Sequence, residues 1–354
     1  MTDVPFIESL CAAFGPSGFE EEPVHCIKEY LPGFEITEDA MHNLYIPHPG
    51  NQGNRPLIQL DAHLDEVGFM VQSIHDNGTL SFVPLGGWVP SNVPAHTVRI
   101  RTATGRMVQG IVASKPPHFM SAKERAADQV VLEDLVIDVG SSSREETLHV
   151  YGIAPGDPVA PLVASHYEKD TDILFGKAFD NRLGCAAVAE VLHRLRHEEL
   201  PVDLVGALAS QEEVGMRGAA VTSQVLRPDF AIVFEGSPAD DLYFSSAEAQ
   251  GALKKGVQIR HLDASYISSP AFLRFAGDTA KAQGIPTQHA IRRAGSTNAG
   301  RISITGKAVP CLVLGIPSRF IHTHYNHAAL ADLEAAIELA CAILTSFPKE
   351  GLRL

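Results

Sequence analysis

Apolar positions at helical spacing open the chain: Phe6, Ile7, Leu10, Cys11 and Phe14 share one face, and Gly15-Pro16-Ser17-Gly18 ends the run in a turn. Val24, Ile27 and Leu31 predict a second helix. The pattern then shortens. Leu57-Ile58-Gln59-Leu60 reads as a strand that delivers Asp61-Ala62-His63-Leu64-Asp65-Glu66 at its far end, with His63 and Asp65 pointing the same way. From about Gly68 to Ala164, β-rich runs such as Val98-Arg99-Ile100 and Val108-Gln109-Gly110-Ile111-Val112 lie between turn signals at Asp76-Asn77-Gly78 and Thr104-Gly105. No long helix is predicted there. Residues 120–129, polar and charged, read as either a solvated loop or a mobile, partner-facing excursion.

The α/β texture returns at Phe175-Gly176-Lys177-Ala178-Phe179-Asp180-Asn181-Arg182, which leads into Leu183, Ala187, Val191 and Leu195, a helix with one buried stripe. Asp180 falls at its expected N-terminus, where capping alone accounts for an aspartate. An apolar run over residues 202–209 delivers Ser210-Gln211-Glu212-Glu213-Val214-Gly215-Met216-Arg217-Gly218-Ala219. Phe230-Ala231-Ile232-Val233-Phe234 is a buried strand ending at Glu235, and Cys311-Leu312-Val313-Leu314 is the last strand. Leu333, Ile337, Ala340 and Leu344 line a closing helix that Pro348 ends. Ala294-Gly295-Ser296-Thr297-Asn298-Ala299-Gly300 is a small-residue loop of the kind that admits a substrate backbone.

At 354 residues the chain exceeds the usual size of one domain. The pattern divides it into a discontinuous α/β unit, residues 1–67 and 165–354, and an inserted β-rich unit, residues 68–164. No apolar run approaches a membrane span, and Met1-Thr2-Asp3-Val4-Pro5 lacks the basic start of a secretory signal. Lys+Arg of 28 against Asp+Glu of 42 gives a net charge of −14, which disfavours nucleic acid and anionic membranes as partners. Five scattered cysteines without a Cys-x-x-Cys pair fit reduced thiols in a cytoplasmic protein.

Charge matters most at the strand ends. Adjacent glutamates where a strand finishes face opposite ways, so one can hold a metal while the other moves a proton. In open α/β sheets ligands gather beyond the carboxyl ends of the strands, so repeated acidic ends imply one shared site. His63, Asp180, Glu213, Glu235 and His322 together offer two imidazoles and three carboxylates. Nitrogen and oxygen donors without thiolate suit zinc, cobalt or manganese. Five donors exceed the needs of one catalytic ion; two ions sharing a carboxylate account for the number.

Four motifs, in order, carry a specific resemblance: His63-x-Asp65-Glu66; Gly176-Lys177-x-x-Asp180-Asn181-Arg182; Gln211-Glu212-Glu213-Val214-Gly215-x-Arg217-Gly218-Ala219; and Ile316-Pro317-x-Arg319-x-x-His322. With Gly15-Pro16-Ser17-Gly18 and Asp134-Leu135-Val136-Ile137-Asp138, the sequence resembles the glutamyl and tetrahedral (TET) aminopeptidases over nearly its whole length. The resemblance implies an α/β fold with a central mixed sheet flanked by helices, of zinc-exopeptidase type, and an inserted β-rich domain with a role in assembly and substrate access. It implies two divalent ions per subunit, one held by His63, Asp180 and Glu235 and the other by Asp180, Glu213 and His322. Asp65 would orient His63, and Glu212 would be the general base. Peptides are the implied substrates, and a homo-oligomer, from dimer to dodecamer, the implied assembly.

Two departures stand out: Glu235 where the family usually has Asp, and Asn298 where many relatives have Asp, which removes a charge expected near the substrate pocket. Three rival readings remain at this point. A carboxypeptidase or deacylase would use the same dinuclear site. A two-carboxylate glycoside hydrolase would use Glu212 and Glu235 and leave the histidines idle. A metal-stabilised binding protein would leave Glu212 idle. Arg319 either holds a substrate carbonyl or braces its loop; His324 competes with His322 as a ligand; His25 and His118 are read as surface residues.

Overall fold

The computed structural model describes residues 2–122 and 130–352. Two helices, α1 (Val4–Ala12) and α2 (Glu21–Tyr30), begin the chain, followed by strands β1 (Thr37–Glu38), β2 (Leu44–Pro47) and β3 (Leu57–His63). Six strands then close a barrel: β4 (Gly68–Ile74), β5 (Leu80–Leu85), β6 (Thr97–Arg101), β7 (Met107–Val112), β8 (Ile137–Asp138) and β9 (Pro158–Pro161), in the order β4-β5-β8-β7-β6-β9. Alternation builds its core. Strand β7 buries Val108, Gly110 and Val112 and exposes Met107, Gln109 and Ile111, the period of two expected when one face is packed. Of the polar excursion over residues 120–129, positions 123–129 lie outside the described residues.

The chain returns through β10 (His166–Glu168), β11 (Ile173–Gly176), α3 (Phe179–Leu195), β12 (Asp203–Ala209), α4 (Arg217–Leu226) and β13 (Phe230–Pro238). It finishes with β14 (Val257–Leu262), α5 (Pro270–Gln283), β15 (Thr287–Ile291), α6 (Ala299–Ile302), β16 (Cys311–Arg319), β17 (Asn326–Ala329) and α7 (Leu330–Ser346). The main sheet has eleven strands, with β1-β2-β12-β3-β13-β16-β17-β11-β10 as its path and β14 and β15 attached beside β16. Its four middle strands, β12, β3, β13 and β16, run parallel, while β2, β14 and β17 pair antiparallel to them. The molecule is therefore mixed α/β, with helices on a central mixed sheet and a separate small barrel.

Four details differ from the sequence expectation. Helix α3 buries nearly its whole circumference, not one stripe, because small residues such as Gly184, Ala186, Ala187 and Ala189 let it sit between the sheet and α1 and α7. Asp180 does not cap it; the N-cap position is Ala178, and Asp180 and Asn181 keep non-helical torsions. Glu235 lies within β13, which runs on to Pro238. Strand β16 continues to Arg319 and is not the last, since β17 follows it. In the last two cases the strands outrun their apolar runs because polar and glycine positions there are enclosed by neighbouring elements.

Candidate metal centre

Register places the chemistry. Ala209 pairs with His63 across β12 and β3, and Val233 pairs with Asp61 across β3 and β13, so Glu235, two residues past Val233, stands level with His63. The parallel strands thus present His63, the turn after Ala209, and Glu235 along one edge. Asp180 arrives from the start of α3, and this approach requires a glycine at 236: a Cβ there would lie 2.6 Å from the Asp180 Cα. His322 comes from the loop between β16 and β17, with φ +58.

His63 Nε2 lies 3.1 Å from Asp180 Oδ1 and 3.9 Å from Glu212 Oε2. His322 Nε2 lies 3.4 Å from Asp180 Oδ2 and 3.5 Å from Glu213 Oε2. Asp180 therefore stands between the two imidazoles, one oxygen toward each. Donor atoms of His63, Asp180 and Glu213 all fall within 4.8 Å of one another, the spacing of a group able to hold an ion. Glu235 accepts from Asn181 Nδ2 at 3.1 Å and lines the same cavity of about 370 Å³ as Asp180, Glu212, Glu213 and His322.

Each imidazole is oriented through its other nitrogen. His63 Nδ1 is 3.2 Å from the Asp65 carbonyl and 3.3 Å from its carboxylate. His322 Nδ1 donates to the Gly87 carbonyl at 2.7 Å, since a carbonyl can only accept. Both arrangements leave Nε2 turned toward the carboxylates, as metal-ligating histidines require. Gly87 belongs to the connection between β5 and β6, so the barrel segment reaches the site.

The electrostatics ask for cations. Burial pushes Glu213 and Glu235 well above the usual carboxylate range, and Asp180 adds to the effect. Burial, with Asp65 and Asp180 nearby, raises Glu212 to about 7. Burial works against the charged forms of Asp180 and the histidines, yet it is outweighed: hydrogen bonds with the two imidazoles lower Asp180, hydrogen bonds with Asp180 and Asp65 raise His63, and the facing Glu213 charge with the Asp180 hydrogen bond raises His322 to about 10. Glu213 Oε1 is buried with no hydrogen-bond partner among the described residues. Among the described residues, no lysine or arginine forms a salt bridge with Asp180, Glu213 or Glu235. An orphaned buried oxygen within a set of two imidazoles and crowded carboxylates fits divalent ions bound by nitrogen and oxygen.

The family model described as M42 glutamyl aminopeptidase matches residues 43–339. The chain belongs to that family. It is 31% identical over 350 residues to the glutamyl aminopeptidase of Lactococcus lactis subsp. cremoris, covering 97% of this chain and 96% of the relative. The TET aminopeptidase from the marine sediment archaeon Thaumarchaeota archaeon SCGC AB-539-E09 superposes with a TM-score of 0.93 at 36% identity, over 98% of this chain and 97% of that one. The Pyrococcus horikoshii TET1 peptidase, which can assemble into a tetrahedron or a large octahedral shell, superposes with a TM-score of 0.86 at 26% identity, over 97% and 99% of the two chains. This M42 member is an aminopeptidase, a hydrolase of peptides, with the mixed α/β fold of those neighbours.

Some residues near the site behave otherwise than the sequence suggests. Asn298 is fully buried and donates to Asp61 Oδ1 at 2.7 Å, and it is not among the residues lining the cavity, so the departure at this position bears on the packing against β3. Arg319 braces its loop through a two-point ion pair to Asp241, at 3.0 and 2.7 Å. His324 stacks on His96 with ring centroids 4.3 Å apart, away from the carboxylates. His25 and His118 are exposed. Sequence reasoning missed Asn181 as the partner of Glu235, Gly87, and Arg260 and Arg292 on the cavity wall. Asn181 stood inside a noted motif, but a side chain's partner fifty residues away leaves no trace in spacing.

Proposed function

We propose that this M42 aminopeptidase removes the first residue of peptides at a dinuclear metal centre, with His63, Asp180 and Glu235 as ligands of one ion, Asp180, Glu213 and His322 as ligands of the other, and Asp180 shared. The observation that carries the reading is the meeting of two imidazoles and three buried carboxylates around Asp180. Bound zinc, cobalt or manganese would supply Lewis acidity and a more acidic water. Asp65 fixes the His63 ring, and Asn181 fixes the Glu235 carboxylate. Glu212, which the ligand sets leave unused, takes a proton from the water that attacks the scissile carbonyl carbon. When the C–N bond breaks it returns that proton to the leaving amine.

Arg260 and Arg292 line the cavity, each already ion-paired, Arg260 with Asp263 at 3.3 Å and Arg292 with Asp240 at 2.6 Å. The barrel, through Gly87, takes part in shaping access, and it carries assembly into a homo-oligomer. No described helix is long and apolar enough to cross a membrane, and the five free cysteines fit a cytoplasmic location. Peptides with a free and an acylated N-terminus, assayed side by side, test the reading. Cleavage of the free form alone is expected, whereas preference for the acylated form would favour a deacylase at the same site.

A further inference from the structure

The turn that carries Glu212 and Glu213 is held by side chains from elsewhere in the chain. Four consecutive amides donate to side-chain oxygens: Ser210 to Asn43 Oδ1 at 2.8 Å, Gln211 to Glu20 Oε1 at 3.0 Å, Glu212 to Asp65 Oδ1 at 2.9 Å and Glu213 to Asp65 Oδ2 at 3.1 Å. The acceptors are themselves fixed. Ser17 Oγ donates to Asp65 at 2.6 Å, Asn43 Nδ2 donates to Asp39 at 2.8 Å, and Glu20 Oε1 also accepts from Gly18 N at 2.8 Å. Glu20, Asn43 and Asp65 are fully buried, and Glu20 Oε2 has no hydrogen-bond partner among the described residues.

Burying a carboxyl group with one oxygen unpaired costs stability. Its partner here is the amide of Gln211, whose φ of +52 is a left-handed torsion that a non-glycine residue keeps only when its surroundings impose it. We propose that Glu20, assisted by Asn43, is a positioning residue: it holds the Ser210–Glu213 backbone so that Glu212 and Glu213 stand at the distances seen from His63 and His322. The inference rests on the roles proposed for those two glutamates. A misplacement of about 1 Å at such a site costs on the order of a hundredfold in rate.

Hydrogen exchange on peptides covering residues 208–216, run with steady-state kinetics on the full chain, decides it. Glu20→Met, nearly isosteric without the acceptor, is expected to speed exchange in those peptides about tenfold or more and to lower kcat by at least about tenfold, with KM nearly unchanged. Glu20→Gln, which keeps an Oε1 acceptor, should restore both. A folded Glu20→Met protein with wild-type exchange or wild-type turnover overturns the proposal. So does loss of melting temperature alone, because a purely structural role would move neither readout in the folded enzyme. If Glu20→Met does not fold, Asn43→Ala takes its place with the same criteria in the same peptides. Wild-type protein that retains no divalent ion would instead refute the metal reading, and the exchange measurement would still decide the positioning role.

Discussion

Glu212 and Glu213 are neighbours in sequence, yet their carboxylates meet different imidazoles, Glu212 facing His63 at 3.9 Å and Glu213 facing His322 at 3.5 Å. The sequence suggests strand alternation as the cause, but β12 ends at Ala209 and both glutamates lie in the turn beyond it, entered through Gln211 at φ +52; it is this turn that sends the two side chains to different imidazoles, as the proposed division into ligand and base requires. Glu212→Gln keeps shape and hydrogen bonding but cannot accept that proton. We expect kcat to fall by about 10²- to 10⁴-fold with the bound metal retained, measured by steady-state kinetics and elemental analysis on one preparation. Turnover within a few-fold of wild type would remove Glu212 from the mechanism. A second prediction concerns stability. Asp332, in the first turn of α7, accepts from Lys254 N and Gly256 N, and burial raises its carboxyl to about 6. Between its unfolded value near 4 and about 6, the native state keeps a proton that the unfolded chain releases, so this group's contribution falls as pH rises through that window. The melting-temperature deficit of Asp332→Asn should therefore shrink from pH 4.5 to pH 7; a deficit that grows with pH would contradict the assignment.

Elements bring these residues together, and here the sequence was legible in part. The apolar run over residues 202–209 and the Leu57–Leu60 run marked β12 and β3; β12 ends where its acidic motif begins, whereas β3 runs three residues farther than its apolar run and carries Asp61 and His63 within it. Strands β14 and β15 left weaker signals, with polar residues such as Gln258, Arg260, Gln288 and His289 in their middles. Those residues find partners across the sheet and in loops, a compensation invisible to periodicity. Asp180 was legible as a candidate, but its non-helical entry into α3 was not, because it depends on packing against β13. Gly236→Ala tests that packing. The added Cβ would meet backbone at 2.6 Å on both Asp180 Cα and Phe179 O, neither of which can rotate away. We expect a loss of about 1–3 kcal/mol in urea unfolding and weaker metal retention, because Asp180 would be pushed from its place between the imidazoles. An unchanged unfolding midpoint would show that the two elements part without cost.

On the scale of the whole molecule, the barrel is separate in its core yet joined to the site, since Phe69, Val98 and Val159 pack among barrel residues while Gly87 holds His322. Its surface exposes Ile111, Phe119 and Val150, whereas the main unit exposes Leu242, Tyr243 and Phe244. If the barrel carries assembly, sizing should find the 38.0 kDa chain as a dimer or larger, and the pair Ile111→Asp and Val150→Asp should shift it to smaller species. The pair Leu242→Glu and Phe244→Glu should leave the size unchanged; the opposite pattern would move the interface to the main unit. The proposed dinuclear centre joins side chains scattered from His63 to His322 around two ions that the aminopeptidase reaction needs. Its most direct test is to strip the purified enzyme of metal and titrate it with zinc, cobalt or manganese, following bound ion and peptide hydrolysis together. Activity that returns as occupancy approaches two ions per chain is the predicted result, and full activity in metal-free protein would contradict it.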